Sequence, residues 1–164
     1  MKNAVLMIPR FFVKHRNVIV EIICYLFILL FVYAAVNKLM DVQKFTVQIG
    51  QSPLLTNIAG FTAWFIPIIE VIVALMLAWT RTRLAGLYGA FTLMVMFTAY
   101  IIAILSFSEK IPCSCGGVLE KLGWTEHLIF NIAFILLALL GIVLSLKQTK
   151  KDTTTLSTSE YQFK

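Results

Sequence analysis

The sequence predicts an all-α integral membrane protein, a bundle of four transmembrane helices. Two observations carry this. First, 60% of the 164 residues are hydrophobic and only 13% are charged, where soluble domains run nearer half and a quarter. So little charge leaves too little polar surface to solvate a globule. Second, the apolar residues fall into four runs, at about 18–36, 58–79, 84–106 and 127–146. Each is close to the ~20 residues that cross a ~30 Å hydrocarbon core. The net charge of +6 does not indicate nucleic acid, because the basic residues flank the apolar runs, as in membrane proteins.

Residues 1–17 form a basic flank with interleaved aromatics, suited to anionic lipid. The first run is longer than the core of a secretory signal and ends in no small-residue cleavage pattern, so it reads as a retained helix. Its one charge, Glu21, can reach the headgroups, and Cys24 reads as a small hydrophobe. Residues 37–57 form a polar connection with turn signals at Gly50, Ser52 and Pro53. Phe45, Val47 and Ile49 alternate with polar residues, yet no partner strand is evident, and the stretch reads as a short interfacial segment. The second run contains Pro67 and Glu70, and a tight basic turn, Thr80 to Arg83, leads into the third. Gly86 and Gly89 in that third run let a neighbouring backbone approach. Trp64, Trp79 and Trp124 suit an aromatic belt. The tail, 147–164, is rich in threonine and serine and lacks apolar periodicity, so it is expected to be disordered.

Four crossings put both termini on one side. That side carries ten Lys and Arg residues, and the other carries four: Lys38, Lys44, Lys110 and Lys121. The positive-inside rule makes the richer side cytoplasmic. In a bacterium the chain is then a multi-pass inner-membrane protein, with the stretch between the third and fourth runs in the oxidising periplasm.

That stretch, IPCSCGGVLEKLGWTEH, holds the clearest chemistry. Cys113 and Cys115 can close a small, strained disulfide, and strain makes such a bond exchangeable. Gly116 and Gly117 leave room for a partner's sulfur and permit unusual dihedrals. Lys110, Lys121 and a protonated His127 are cations that would favour the thiolate. A static disulfide is the alternative, but so short a ring removes little loop entropy. A metal reading takes Cys113, Cys115 and His127 as soft ligands for copper or zinc. Its fourth ligand is not apparent, since Met40 is only a possibility and Cys24 belongs near the opposite face.

Glu70 is the second candidate. A carboxylate within a span is costly and marks function by default. It lies twelve residues beyond Ile58, ~18 Å along a helix, which places it too deep to meet the cysteines. It reads as a buried hydrogen-bonding group, a proton relay, or a polar contact for a lipid or quinone. Pro67 frees a carbonyl one turn earlier. His127 and Asn131 share one helix face. His127 is either interfacial or a proton acceptor for the thiols, and Asn131 suits an interhelical hydrogen bond. Asn37, Lys38 and Asp41 form a polar rim on the cysteine side, in which Lys38 snorkels or steadies an anion.

The patterns FVYAAVNKLMDVQKF and FIPIIEVIVALML resemble the DoxX-like superfamily of four-helix membrane proteins, and IPCSCGGVLEKLGWTEHLIFN resembles its MauE branch. The resemblance covers roughly Val18 to Leu146. It implies a bacterial inner-membrane protein acting with a thioredoxin-like periplasmic partner on a disulfide-containing client, as the namesake does for a subunit of methylamine dehydrogenase. It also implies Cys113 and Cys115 as the redox pair, with Lys38 and Glu70 as family-type polar positions.

The expected function is therefore a membrane thiol–disulfide relay or maturation factor in a left-handed bundle. No flavin, haem or nucleotide motif is visible, and a quinone acceptor is possible but unassigned. The rivals are a non-catalytic scaffold for the partner, a copper or zinc handler, and a small-solute transporter using Glu70.

Overall fold

A computed structural model describes residues 16–50, 56–107 and 123–162, which are helical almost throughout and contain no strand. Helix α1 spans Arg16–Met40, α2 Val42–Gly50, α3 Ala59–Ala78, α4 Arg83–Phe107 and α5 Trp124–Gln162, with a single 3-10 turn at Thr56–Ile58 leading into α3. Four stretches are long and apolar enough to cross a membrane: Arg16–Met40, Thr56–Ala78, Arg83–Ala103 and Thr125–Lys147. The four long helices alternate in direction. Met40, Thr56, Phe107 and Trp124 therefore share one end of the bundle, called upper here, and Arg16, Ala78, Arg83 and Lys147 share the lower end.

Helix α1 outruns its apolar stretch by a turn, and the Asn37 side-chain amide donates to the Tyr33 carbonyl within that turn at 2.8 Å. Asp41 then ends one helix and starts the next. Its Oδ1 accepts the Lys44 backbone N–H at 2.9 Å, the bond of an N-cap. The alternation of Phe45, Val47 and Ile49 resolves as helix. Phe45 and Ile49, one turn apart, are buried and pack on Ala59 and Ala63 of α3, while Val47 faces outward. The first two turns of α3 are thus occupied by α2, not by α1.

Pro67 lies inside α3, buried, without ending the helix. The turn to α4 is held by Thr82, whose hydroxyl donates to the Met76 carbonyl at 2.8 Å. At the lower end Arg83 faces Glu21 at 3.7 Å, so the Glu21 carboxylate has a protein partner as well as access to headgroups. Arg16 donates to the Lys147 carbonyl at 3.2 Å, tying the first helix to the last.

The core between these ends is apolar. Phe27, Phe31, Val73, Leu77, Leu87, Met94 and Ala138 belong to one buried cluster. Phe27 meets Phe134 edge-on, with ring centroids 5.3 Å apart. In lipid such contacts stabilise by close packing, since leaving a hydrocarbon solvent yields no hydrophobic gain. Cys24 is buried within the cluster with a free thiol. Three glycines allow the close approach. The Val73 side chain lies over Gly89, the Leu77 backbone over Gly86, and Leu87 with Ile23 over Gly141.

The last helix continues to Gln162, where composition indicates a disordered tail from residue 147. Extending a formed helix adds a hydrogen bond for each residue ordered, whereas starting one does not. The apolar span supplies the nucleus that the threonine-rich stretch lacks.

Candidate functional site: a buried charge pair beneath the upper end

Lys38 is on the last turn of α1 and Glu70 is midway along α3. The Lys38 ammonium donates to Glu70 Oε1 across the α1–α3 interface. The Glu70 side chain has no exposure, and the Lys38 side chain keeps 18%. Two rings flank the ammonium, with Phe97 of α4 at 5.3 Å and Phe45 of α2 at 5.7 Å from Nζ to the centroid. A cation over an aromatic face gains about 0.5–2 kcal/mol, which offsets part of the cost of removing it from water. Lys38 is thus held by groups from three other helices.

Among the described residues, the buried atoms Glu70 Oε2 and Asn131 Nδ2 have no hydrogen-bond partner. Asn131 is almost fully buried. The contacts of Val73 with Gly89 and of Leu87 with Gly141 set the register of the helices. They put Glu70 about level with Leu93 and Ile135, and Asn131 one turn, about 6 Å, nearer the upper end. His127 lies a further turn up, half-buried, with its backbone N–H bonded to the Gly123 carbonyl at 3.0 Å. Lys38 and Glu70 thus form one buried pair, and Asn131 and His127, one turn apart, share a face of α5 toward the upper end.

The turns preceding Glu70 pack on α2, and Glu70, midway along α3, meets the side chain of Lys38 from the last turn of α1. The sequence marked Lys38 and Glu70 separately but did not pair them. Opposite charges near the ends of neighbouring spans were the available signal, since ionisable groups in membranes pair with one another. Phe45 and Phe97 carried no such signal.

Cys113, Cys115, Gly116 and Gly117 lie outside the described residues. The helices that flank them, α4 and α5, end and begin at the upper end. Among the described residues no three His, Cys, Asp or Glu side chains are grouped to hold a metal ion. The alternative metal set of Cys113, Cys115 and His127 falls mostly outside those residues.

Four helices long and apolar enough to cross a membrane, with a largely buried charge pair among them, define a multi-pass membrane protein. The family model for methylamine utilisation protein MauE matches residues 16–144, and the chain belongs to that family. No curated protein and no solved structure matches it significantly.

Proposed function

We propose that the chain is a membrane thiol–disulfide relay, in which Cys113 and Cys115 exchange with a periplasmic thioredoxin-like protein that serves a disulfide-containing client. The observation that carries this reading is Cys-Ser-Cys-Gly-Gly in the connection between α4 and α5. One thiolate attacks the partner's disulfide to give a mixed disulfide, and the second cysteine resolves it. One disulfide forms for each one broken, so electrons balance in either direction. The MauE family name associates the chain with methylamine utilisation. The charge distribution supports a bacterial inner-membrane location with cytoplasmic termini and a periplasmic loop. In this reading His127, in the first full turn of α5, is a candidate to move a proton for the thiols.

Trapping tests the relay. A Cys115→Ser variant in cells is expected to accumulate a mixed disulfide through Cys113, and mass spectrometry of the adduct identifies the partner. If neither single-cysteine variant captures a protein and partner function survives loss of both cysteines, the chain is a scaffold instead.

A further inference from the structure

The lower end of the bundle carries positive charge that the chain does not balance. Arg16 opens α1, Arg81 lies in the turn between α3 and α4, Arg83 begins α4, and Lys147 closes the apolar part of α5. Lysines follow at positions 150 and 151, one turn further along α5. The acidic residue of the spans nearest this end, Glu21, faces Arg83 at 3.7 Å. Residues 1–15 cannot supply the missing negative charge, because they include Lys2, Arg10 and Lys14 but neither aspartate nor glutamate. Asp152 and Glu160, further out along α5, still leave the cations in excess. The connections 51–55 and 108–122 join helices at the upper end.

Two of these cations are brought together from different helices. The Arg16 guanidinium donates to the Lys147 backbone carbonyl at 3.2 Å, which fixes it beside the root of the Lys147 side chain at the junction of α1 and α5. A guanidinium carries five N–H donors, so one such bond leaves others for an anion. Lys147 is exposed, and an ammonium on a flexible four-carbon stem can reach the same anion. Within about two turns above them both helices present apolar side chains outward, Val18 and Ile22 on α1 and Val143 and Leu146 on α5. We propose that this junction binds an anionic phospholipid. Its phosphodiester rests on Arg16 and Lys147, and its acyl chains run along Val18, Ile22, Val143 and Leu146.

Charge complementarity selects the headgroup. A zwitterionic lipid brings its own cation and leaves the excess unbalanced, whereas phosphatidylglycerol or a similar lipid brings a net negative charge. The apolar flanks select a lipid over a free phosphate, which gains nothing from Val18 or Leu146. Prior fixing of the guanidinium lowers the ordering cost of binding, and its planar fork suits phosphate oxygens. Arg83 is already engaged with Glu21, and Arg81 belongs to the turn of the other helix pair. A lipid seated here spans the first and last membrane helices and fastens them at the lower end. Neither the cysteines nor the Lys38–Glu70 pair takes part.

Native mass spectrometry of the full-length protein, released from nanodiscs of phosphatidylglycerol and phosphatidylcholine in equal amounts, reads the bound lipid directly. Phosphatidylglycerol is expected to be retained in preference to phosphatidylcholine. Removing one cation beside an anionic headgroup weakens its hold about fivefold. Arg16→Gln and Lys147→Gln should therefore each cut the retained phosphatidylglycerol to about a fifth. Arg81→Gln removes the same charge from the α3–α4 turn and should leave retention almost unchanged. Because Lys147 is exposed, Lys147→Gln covers the case in which Arg16→Gln fails to fold. Equal loss in Arg81→Gln would mean a diffuse layer of charge and would overturn the junction site. Retention without preference for phosphatidylglycerol, or unaffected by Lys147→Gln, overturns headgroup binding there. Displacement of the lipid by excess inorganic phosphate would assign the cations to a free anion and overturn the lipid.

Discussion

The Lys38 ammonium and the Glu70 carboxylate, 32 residues apart in sequence, meet across the interface of α1 and α3. Breaking a buried pair by removing one partner costs about 3–5 kcal/mol, because the remaining charge is stranded. Lys38→Met is therefore expected to destabilise the bundle strongly, and Glu70→Met less so, because Lys38 can still extend toward the upper face. The double variant, Lys38→Met with Glu70→Met, should recover most of the loss. Thermal unfolding of the three variants in detergent checks the order, and a double variant as unstable as the worse single one would contradict it.

The pair at the other end, exposed on its Glu21 side, behaves differently. Arg83 and Glu21 are 3.7 Å apart, and the Glu21 side chain is half exposed. Exposed pairs contribute about 0–1 kcal/mol. Glu21→Gln should leave the unfolding temperature almost unchanged under the same conditions.

Glycine substitutions should divide by the rigidity of what they meet. A β-carbon on Gly86 would lie 2.9 Å from the Leu77 backbone nitrogen, which cannot move without shifting α3. Gly86→Ala is expected to cost about 1–3 kcal/mol. On Gly60 the same atom meets nothing within 4 Å, and Ala there should be neutral or stabilise by up to about 1 kcal/mol through backbone entropy. Equal effects at the two positions would refute the packing of α3 on α4.

Asp41 caps α2, and α2 covers the upper turns of α3. Asp41→Ala should cost about 1 kcal/mol, and Asp41→Asn should cost little. The loss should be local, so faster hydrogen exchange at amides 43–49 is the measurement, with the amides of α1 unaffected.

Much of the architecture was legible because each apolar run has to hide its own backbone from lipid, and a helix does so without a partner. That is a local requirement, and it is written in each segment's length and composition. The buried and half-buried polar residues of the spans were also visible one at a time. Lys38, Glu70, His127 and Asn131 stand out because polar side chains are costly in apolar surroundings.

Their arrangement was not visible. Whether Lys38 reaches Glu70 depends on where α1 ends, on Asp41 turning the chain into α2, and on α2 displacing α1 from the first turns of α3. None of these is contained in the hydropathy of any one span. Composition and periodicity determined by themselves that this is a four-helix membrane protein with a cysteine pair in one polar connection. Only the tertiary structure decided that two charges, read apart as a rim residue and a deep one, form a single pair across the α1–α3 interface. The physical reason is that which side chains meet in a bundle is set by which helices pack together, not by distance along the chain.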